Sequence, residues 1–344
     1  MDDLEYQKKI LQQVSRTFAL TIPQLPAELD QVVSNAYLLC RIADTIEDES
    51  ALSAADKRRF SEDFVRVLGY GMPAEKFAAE LHPLLTGSTL EPERDLVLNT
   101  PRVIRLTHGF SERTRAALER CVLIMSRGMA EFQQNATLDG LEDLPHLDRY
   151  CYHVAGVVGE MLTELFCDYS PEIDKNRQSL AELAVSFGQG LQMTNILKDV
   201  WDDRRRGACW LPRQVFREAG FDLRELRPGL RDEAFTRGME ELIAIARCHL
   251  EDALAYTLLV PKDETGIRRF CLWALGMAVL TLRKIHGRPD FSAGDQVKIS
   301  RRSVKATIMI TSLTVRSDAM LQFLFDSFTR GLPVPNGERK PVSI

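Results

Sequence analysis

The chain has 344 residues, of which 45% are hydrophobic and 27% charged, and its formal net charge at pH 7 is -5. This length and hydrophobic content are sufficient for a sizeable core. The small negative charge argues against a nucleic-acid-binding protein, which usually carries an excess of basic residues.

The N-terminal segment and the cysteines indicate where the protein works. The first ten residues, MDDLEYQKKI, are acidic and polar, so they do not resemble a secretory signal. The seven cysteines are scattered singly, which favours buried thiols in a reducing compartment over a disulfide framework. The longest apolar run, 271–282, is shorter than the roughly 20 residues of a membrane span. We expect a cytoplasmic protein, with peripheral contact at the inner membrane surface left open.

Helical periodicity runs through nearly the whole chain. Pro26 suits the first turn of a helix, and apolar residues then recur at spacings of three and four over 32–43. Ser111 is the predicted N-cap of a long helix that reaches Phe132. Further long helices are predicted over 150–166, 180–200, 235–259, 264–285 and 302–328. Since strand alternation is absent from the sequence, we predict one large all-α domain over 1–331 and a polar, mobile tail at 332–344.

Two acidic clusters stand out within these helices. Each places carboxylates at positions i, i+3 and i+4, which lie on one helix face. The first cluster is Asp44, Glu47 and Asp48, and the second cluster is Asp199, Asp202 and Asp203. Both are embedded in apolar sequence, whereas a solvated helix face would have polar neighbours. Asn195 lies one turn before the second cluster and suits a metal-side or phosphate-side amide.

Grouped carboxylates repel one another and would reject an anionic substrate. Two unit charges 4 Å apart interact by about 4 kcal/mol at an effective dielectric constant near 20. Divalent cations reverse this effect, and Mg²⁺ commonly bridges carboxylates to substrate phosphates. We therefore predict a Mg²⁺ site, with Mn²⁺ as a possible substitute, that binds a diphosphate and stabilises it as a leaving group. The alternative is that each cluster is only a solvated helix face.

Several segments around the clusters resemble, in order, the motifs of the squalene/phytoene synthase family of head-to-head prenyltransferases. The resemblance runs from about Ser15 to Phe328. Its segments are SRTFA (15–19), YLLCRIADTIED (37–48), GMAEF (128–132), YCYHVAG (150–156) and LQMTNILKDVWDD (191–203). Three details are closer to the squalene branch than to the phytoene branch: the DTIED form of the first cluster, GMAEF, and QVKISR at 296–301.

The resemblance implies a single-domain class I isoprenoid synthase fold, a helical bundle around a central cavity. It implies a Mg²⁺-dependent condensation of two farnesyl diphosphates through presqualene diphosphate, followed by NADPH-dependent reduction to squalene. The open alternatives are a presqualene diphosphate synthase, or a phytoene or dehydrosqualene synthase, without the reductive step. A class I terpene cyclase fits SRTFA and YCYHVAG less well, and a non-catalytic scaffold would be expected to have lost its acidic residues.

The resemblance also assigns residues to roles. The metal ligands would be Asp44, Glu47, Asp48, Asn195, Asp199 and Asp203, and the four aspartates among them also count as catalytic. Substrate would be bound by Arg16, Arg41, Gln192, Asn195 and Lys198. Tyr37, Tyr150 and Phe270 would stabilise cations or handle protons, and core packing is the alternative for each. Lys298 and Arg301, with Arg302 beside them, would bind the phosphates of NADPH, unless they are only surface cations.

Two features near the second cluster concern its basic residues. Lys198 stands where the family usually has arginine, so it keeps the charge and loses the bidentate fork. The three arginines at 204–206 are either part of a flap over the phosphates or a solvated turn.

Overall fold

The structure is a computed structural model, and it describes residues 1–15 and 17–335. The predicted substrate-binding residue Arg16 and most of the predicted tail therefore lie outside the described residues. The described chain is helical throughout, and its only β pairing is an isolated bridge between Leu141 and Pro212. The all-α prediction is confirmed.

The α-helices are numbered in chain order. They are α1 (Asp3–Val14), α2 (Phe18–Thr21), α3 (Ala27–Asp48), α4 (Ala54–Leu68), α5 (Ala74–Leu81), α6 (Glu91–Leu98), α7 (Thr100–Gly109), α8 (Glu112–Gln134), α9 (Leu144–Cys151), α10 (Val157–Tyr169), α11 (Pro171–Asp174), α12 (Arg177–Arg205), α13 (Arg213–Ala219), α14 (Glu233–Leu259), α15 (Thr265–His286), α16 (Arg301–Thr314) and α17 (Asp318–Thr329).

The chain divides into two compact units. Unit 1 comprises Met1–Gln134 with Met161–Asp174, and unit 2 comprises Asn135–Glu160 with Lys175–Ile344. The first cluster belongs to unit 1 and the second cluster to unit 2. The expectation of one domain over 1–331 stays a prediction.

In unit 1, α3 is held by a buried apolar face. Leu38, Leu39, Ile42 and Ile46 on this helix are fully buried. The same helix begins directly after Pro26, as the sequence predicts, and α8 begins after Ser111, whose hydroxyl accepts a hydrogen bond from the Thr114 N–H at 3.1 Å. The acidic residues of α3 are therefore fixed in place by the burial of their apolar neighbours.

In unit 2, α12 packs against α14 and α15. The segment from α9 to α10 contains a wide π turn, Tyr152–Gly156, which lies directly on α12. A Cβ at Gly188 would lie 2.2 Å from the Ala155 carbonyl oxygen, and one at Gly159 would lie 2.1 Å from the Ala184 carbonyl oxygen. Only glycine permits this close approach of two backbones.

Helix α15 is long and apolar enough to cross a membrane by length and composition. However, 61% of its most apolar window is buried inside the protein. The helix thus has the burial of a core helix of unit 2.

The prediction of one helix over 302–328 is wrong, because the chain breaks between α16 and α17. The fully buried Arg268 guanidinium donates hydrogen bonds to the Val315 carbonyl oxygen at 2.9 Å and to the Asp318 carboxylate at 2.9 Å. The Arg268 guanidinium thus binds the carbonyl oxygen at the break and the carboxylate at the start of α17. Helical periodicity does not reveal a contact supplied by another helix.

Candidate active site

The first cluster occupies the last two turns of α3. The helix ends at Asp48, and no basic residue lies in its last turn. The partial negative charge at a helix C-terminus disfavours carboxylates there. The cluster is therefore placed against the preference of its own helix, which favours a role in binding cations over a role in stability.

The carboxylates of the first cluster experience different surroundings. The Asp44 side chain is 25% exposed, Glu47 is 4% exposed, and Asp48 is exposed. Burial, opposed by Arg41 and reinforced by Asp48, raises the pKa of Asp44 to about 6. Burial also raises the pKa of Glu47 to about 7, although Lys57 opposes the shift. Burial thus disfavours the charged forms of both groups.

Arg41 is the centre of a polar group beside the first cluster. Its guanidinium donates a hydrogen bond to the Tyr37 hydroxyl at 2.8 Å and lies 3.7 Å from both the Asp44 and the Glu93 carboxylates. The Tyr37 hydroxyl in turn donates to the Val14 carbonyl oxygen at 3.3 Å. The structure therefore brings together three residues that the sequence singles out, and it adds Glu93.

Sequence reasoning missed Glu93. The residue lies in the first turn of α6, where an acidic side chain is ordinarily explained by the helix dipole. No spacing in the sequence relates it to α3. Only the packing of α6 against α3 places this carboxylate beside Arg41.

The second cluster lies in the last turns of α12 and is partly neutralised. Lys198 Nζ lies 3.0 Å from an Asp199 carboxylate oxygen and donates a hydrogen bond to Asn195 Oδ1 at 3.3 Å. Burial raises the pKa of Asp199, and Lys198 opposes that shift. Asn195 is exposed and Gln192 on the same helix is half-buried. The Asn195 amide, the Lys198 ammonium and the Asp199 carboxylate, which the sequence predicts to act together, are therefore adjacent.

Two of the three arginines that follow the second cluster make side-chain contacts within unit 2. Arg204 donates to the Leu138 carbonyl oxygen at 3.0 Å, and Arg205 pairs with the Asp202 carboxylate. Asp202 is thus paired with a cation, as Asp199 is with Lys198. Arg205 and Arg206 are nevertheless exposed, so both the flap and the solvated turn stay predictions.

A 3₁₀ turn, Gly294–Val297, covers part of the second cluster. A Cβ at Gly294 would lie 3.1 Å from an Asp199 carboxylate oxygen and 3.4 Å from one of Asp202. The Trp201 indole N–H donates to the Phe291 carbonyl oxygen at 2.7 Å and so anchors the segment before the turn. The predicted cofactor residues Lys298 and Arg301 follow this turn, and both are exposed.

The predicted aromatic residues lie in different surroundings. Tyr150, at the end of α9, is half-buried and stacks on Trp210 with ring centroids 4.4 Å apart and ring planes 10° apart. Trp210 lies in the segment that leaves α12, and sequence reasoning missed it. Phe270 is 6% exposed within α15. A buried or stacked aromatic face is compatible both with core packing and with stabilising a cation.

The acidic residues fit a divalent cation only together with a further ligand. Within residues 1–15 and 17–335, no three His, Cys, Asp or Glu side chains are grouped closely enough to hold a metal ion by themselves. Glu47 Oε1 is buried without a hydrogen-bond partner. Mg²⁺ is commonly bound by one or two carboxylates, waters and substrate phosphates. The donor set thus fits Mg²⁺ that arrives with a diphosphate.

Comparisons with known proteins agree on one family. The model of the squalene/phytoene synthase family matches residues 11–303. A squalene synthase of Cyberlindnera jadinii is 27% identical over 321 residues, which make up 91% of this chain and 68% of that protein.

Solved structures share the fold. The structure of TcSQS with the ligand E5700 has a TM-score of 0.73 at 23% identity and covers 95% of this chain and 90% of that chain. A dehydrosqualene synthase in complex with a ligand has a TM-score of 0.65 at 20% identity, with 92% and 97% covered. With the family match extending over both acidic clusters, the chain belongs to the squalene/phytoene synthase family of prenyltransferases.

Proposed function

We propose that this protein is a squalene synthase. It would condense two farnesyl diphosphates to presqualene diphosphate with Mg²⁺ and then reduce that intermediate to squalene with NADPH. The observation that supports this most is the pair of acidic helix ends, each placed against the helix dipole within a family of diphosphate-using prenyltransferases.

The residues of the first cluster, with Asn195, Asp199 and Asp203, would hold Mg²⁺. When bound, the metal supplies Lewis acidity that stabilises the departing diphosphate. Arg41 and Lys198 carry positive charge beside these carboxylates and would contact diphosphate oxygens, as would Gln192 and Arg16. The guanidinium of Arg41 is oriented for this by its hydrogen bond to Tyr37.

The aromatic residues would act on the carbocations. Loss of diphosphate from the donor leaves an allylic cation, which the alkene of the acceptor attacks before a proton is lost. The Tyr150 ring, supported by its stack on Trp210, offers a π face to such a cation and a phenol oxygen to the proton. Phe270 would serve the second ionisation. Buried apolar side chains would exclude water, which otherwise quenches the cations.

Lys298 and Arg301 would bind the phosphates of NADPH, which supplies the hydride for the final reduction. Both cations are exposed and follow the 3₁₀ turn that touches Asp199 and Asp202. Their exposure and charge suit contact with phosphate groups.

The first test is the metal-site assignment. Asp48→Asn and Asp199→Asn are each expected to lower turnover of farnesyl diphosphate by at least about 100-fold, since each removes a carboxylate that would hold the Mg²⁺ that stabilises the leaving group. Asp263→Asn, at a carboxylate that is 96% exposed, is the matched control and should retain turnover. Circular dichroism should show unchanged helicity in all three. Near-normal turnover in either cluster variant would contradict the assignment.

The second test is the identity of the product. Mass spectrometry of reactions with farnesyl diphosphate and Mg²⁺ should show squalene when NADPH is present. Without NADPH, presqualene diphosphate or its hydrolysis products should accumulate. If NADPH never changes the product, the chain is a presqualene diphosphate synthase or a phytoene- or dehydrosqualene-type synthase.

A further inference from the structure

Helix α16 exposes large apolar side chains. Met309 is 60% exposed and Leu313 is 81% exposed, and none of the residues of this helix is fully buried. Single exposed apolar residues are normal on protein surfaces. On α16, however, two of them lie on the same face of one helix.

The inward face of α16 is made mostly of small hydroxyl residues. Ser303, Thr307 and Thr311 help to line an apolar cavity of about 230 Å³ between α14, α15, α16 and α17. The hydroxyls of Thr307 and Thr311 donate to the carbonyl oxygens four residues earlier, at 3.0 and 2.7 Å. This satisfies the hydroxyls within the helix and leaves threonine methyl groups for packing. Ile310 lines the cavity beside them, whereas Met309 and Leu313 lie on the side that faces solvent.

The outward face combines cations with apolar residues. Arg302, Lys305, Met309 and Leu313 follow one another at spacings of three, four and four, so they form one stripe along the helix, and all four are exposed. We call it the α16 stripe. No acidic residue occurs over 296–317, although the chain as a whole has a net charge of -5.

The neighbouring helix α17 extends the apolar character. It packs against α16 and exposes Met320 at 44% and Phe323 at 62%. Its first carboxylate, Asp318, is already engaged by Lys262 and Arg268, at 3.0 and 2.9 Å. It is therefore committed to its own cations and does not neutralise the α16 stripe.

We propose that the α16 stripe docks the protein on an anionic lipid bilayer. Helices that lie in a membrane interface bury an apolar face between the headgroups, and basic residues beside it bind anionic lipids. A symmetric contact with a second copy of the chain fits less well, because it would bring the cations of one stripe close to those of the other. Docking does not depend on the reaction proposed above.

Vesicle sedimentation of the full chain tests the proposal. The protein should sediment with vesicles of mixed phosphatidylglycerol and phosphatidylcholine, less with phosphatidylcholine alone, and less as salt is raised. Met309→Ser with Leu313→Ser, and separately Arg302→Glu with Lys305→Glu, should each lower the vesicle partition coefficient at least about tenfold. The charge variant places acids near the start of α16, where the helix dipole tolerates them.

The control changes exposed apolar residues elsewhere. Leu84→Ser with Leu98→Ser, at positions 42% and 50% exposed, should bind vesicles like the unaltered protein. Circular dichroism checks the fold of every variant. Equal binding to both kinds of vesicle, no binding to either, or unchanged binding by the α16 variants would overturn the proposal. So would a sedimentation-velocity mass of a dimer that the α16 variants reduce to a monomer.

Discussion

Glu47 and Glu49 lie two residues apart at the end of α3, yet their carboxylates have opposite surroundings. Glu47 is buried with one oxygen lacking a hydrogen-bond partner. Glu49 is fully buried and accepts five hydrogen bonds, from Ala51, Thr86, Ser88 and Thr89. Burial alone would raise the pKa of Glu49, but these hydrogen bonds hold it at about 2. Glu49 therefore serves stability, whereas Glu47 does not.

Substitution by glutamine should affect the two residues with opposite signs. With metal removed by EDTA at neutral pH, Glu47→Gln is expected to raise the free energy of unfolding by about 1 kcal/mol, because a buried charge at a helix C-terminus is removed. Glu49→Gln should lower it by about 2 kcal/mol, because an amide nitrogen cannot accept the hydrogen bonds that an oxygen accepted. Urea unfolding measures both, and a loss of stability in Glu47→Gln would contradict the reading.

At the scale of helices, Arg268 joins three elements of unit 2. It donates to the Val260 and Leu258 carbonyl oxygens after and within α14, to Val315 after α16, and to Asp318 at the start of α17. Lys262 and Arg268 both donate hydrogen bonds to the Asp318 carboxylate. Together they outweigh the effect of burial and lower the pKa of Asp318. The junction thus depends on one carboxylate being ionised.

A lowered pKa in the folded state adds stability above the pKa of the unfolded chain, about 3.9 for aspartate, and this stability is lost as the pH falls through the folded value. Asp318→Asn is therefore expected to be less stable than the unaltered protein at pH 7 by about 1 kcal/mol, a figure reduced because the carboxylate is 36% exposed. The difference should shrink below about pH 4. Thermal unfolding at several pH values checks this, with Asp263→Asn as control; an equal difference at all pH values would rule it out.

At the scale of the whole molecule, each unit contains one acidic cluster. Mg²⁺ with inorganic pyrophosphate should raise the unfolding temperature by several degrees, because ligands that bind only the folded state stabilise it by about 2.7 kcal/mol at 100 times their Kd. EDTA should abolish the shift. Asp48→Asn and Asp199→Asn should each reduce it, whereas Asp263→Asn should not. If both cluster variants kept the full shift in unfolding temperature, the clusters would not be the site of diphosphate binding. This test requires no measurement of turnover.

Much of the fold and part of the site could be predicted because they depend on interactions between residues close together in the sequence. Pro26 and Ser111 mark helix starts through effects on their own turns, and the spacing of Asp44, Glu47 and Asp48 places them on one face. Glu93 and Trp210 could not be predicted. Their roles depend on the packing of α6 against α3 and on the stack with Tyr150.

By itself, the sequence determined the helical class, the two acidic faces and the motif order that places the chain in its family. The helical class and the acidic faces follow from periodicity and spacing, which act over one or two turns, whereas the family follows from the resemblance of the ordered motifs. Only the tertiary structure decided which carboxylates are buried, that Glu93 lies beside Arg41, and that Arg268 donates to the Val315 carbonyl oxygen after α16. Burial, ion pairing and long-range hydrogen bonds join residues far apart in the chain, and no local pattern encodes them.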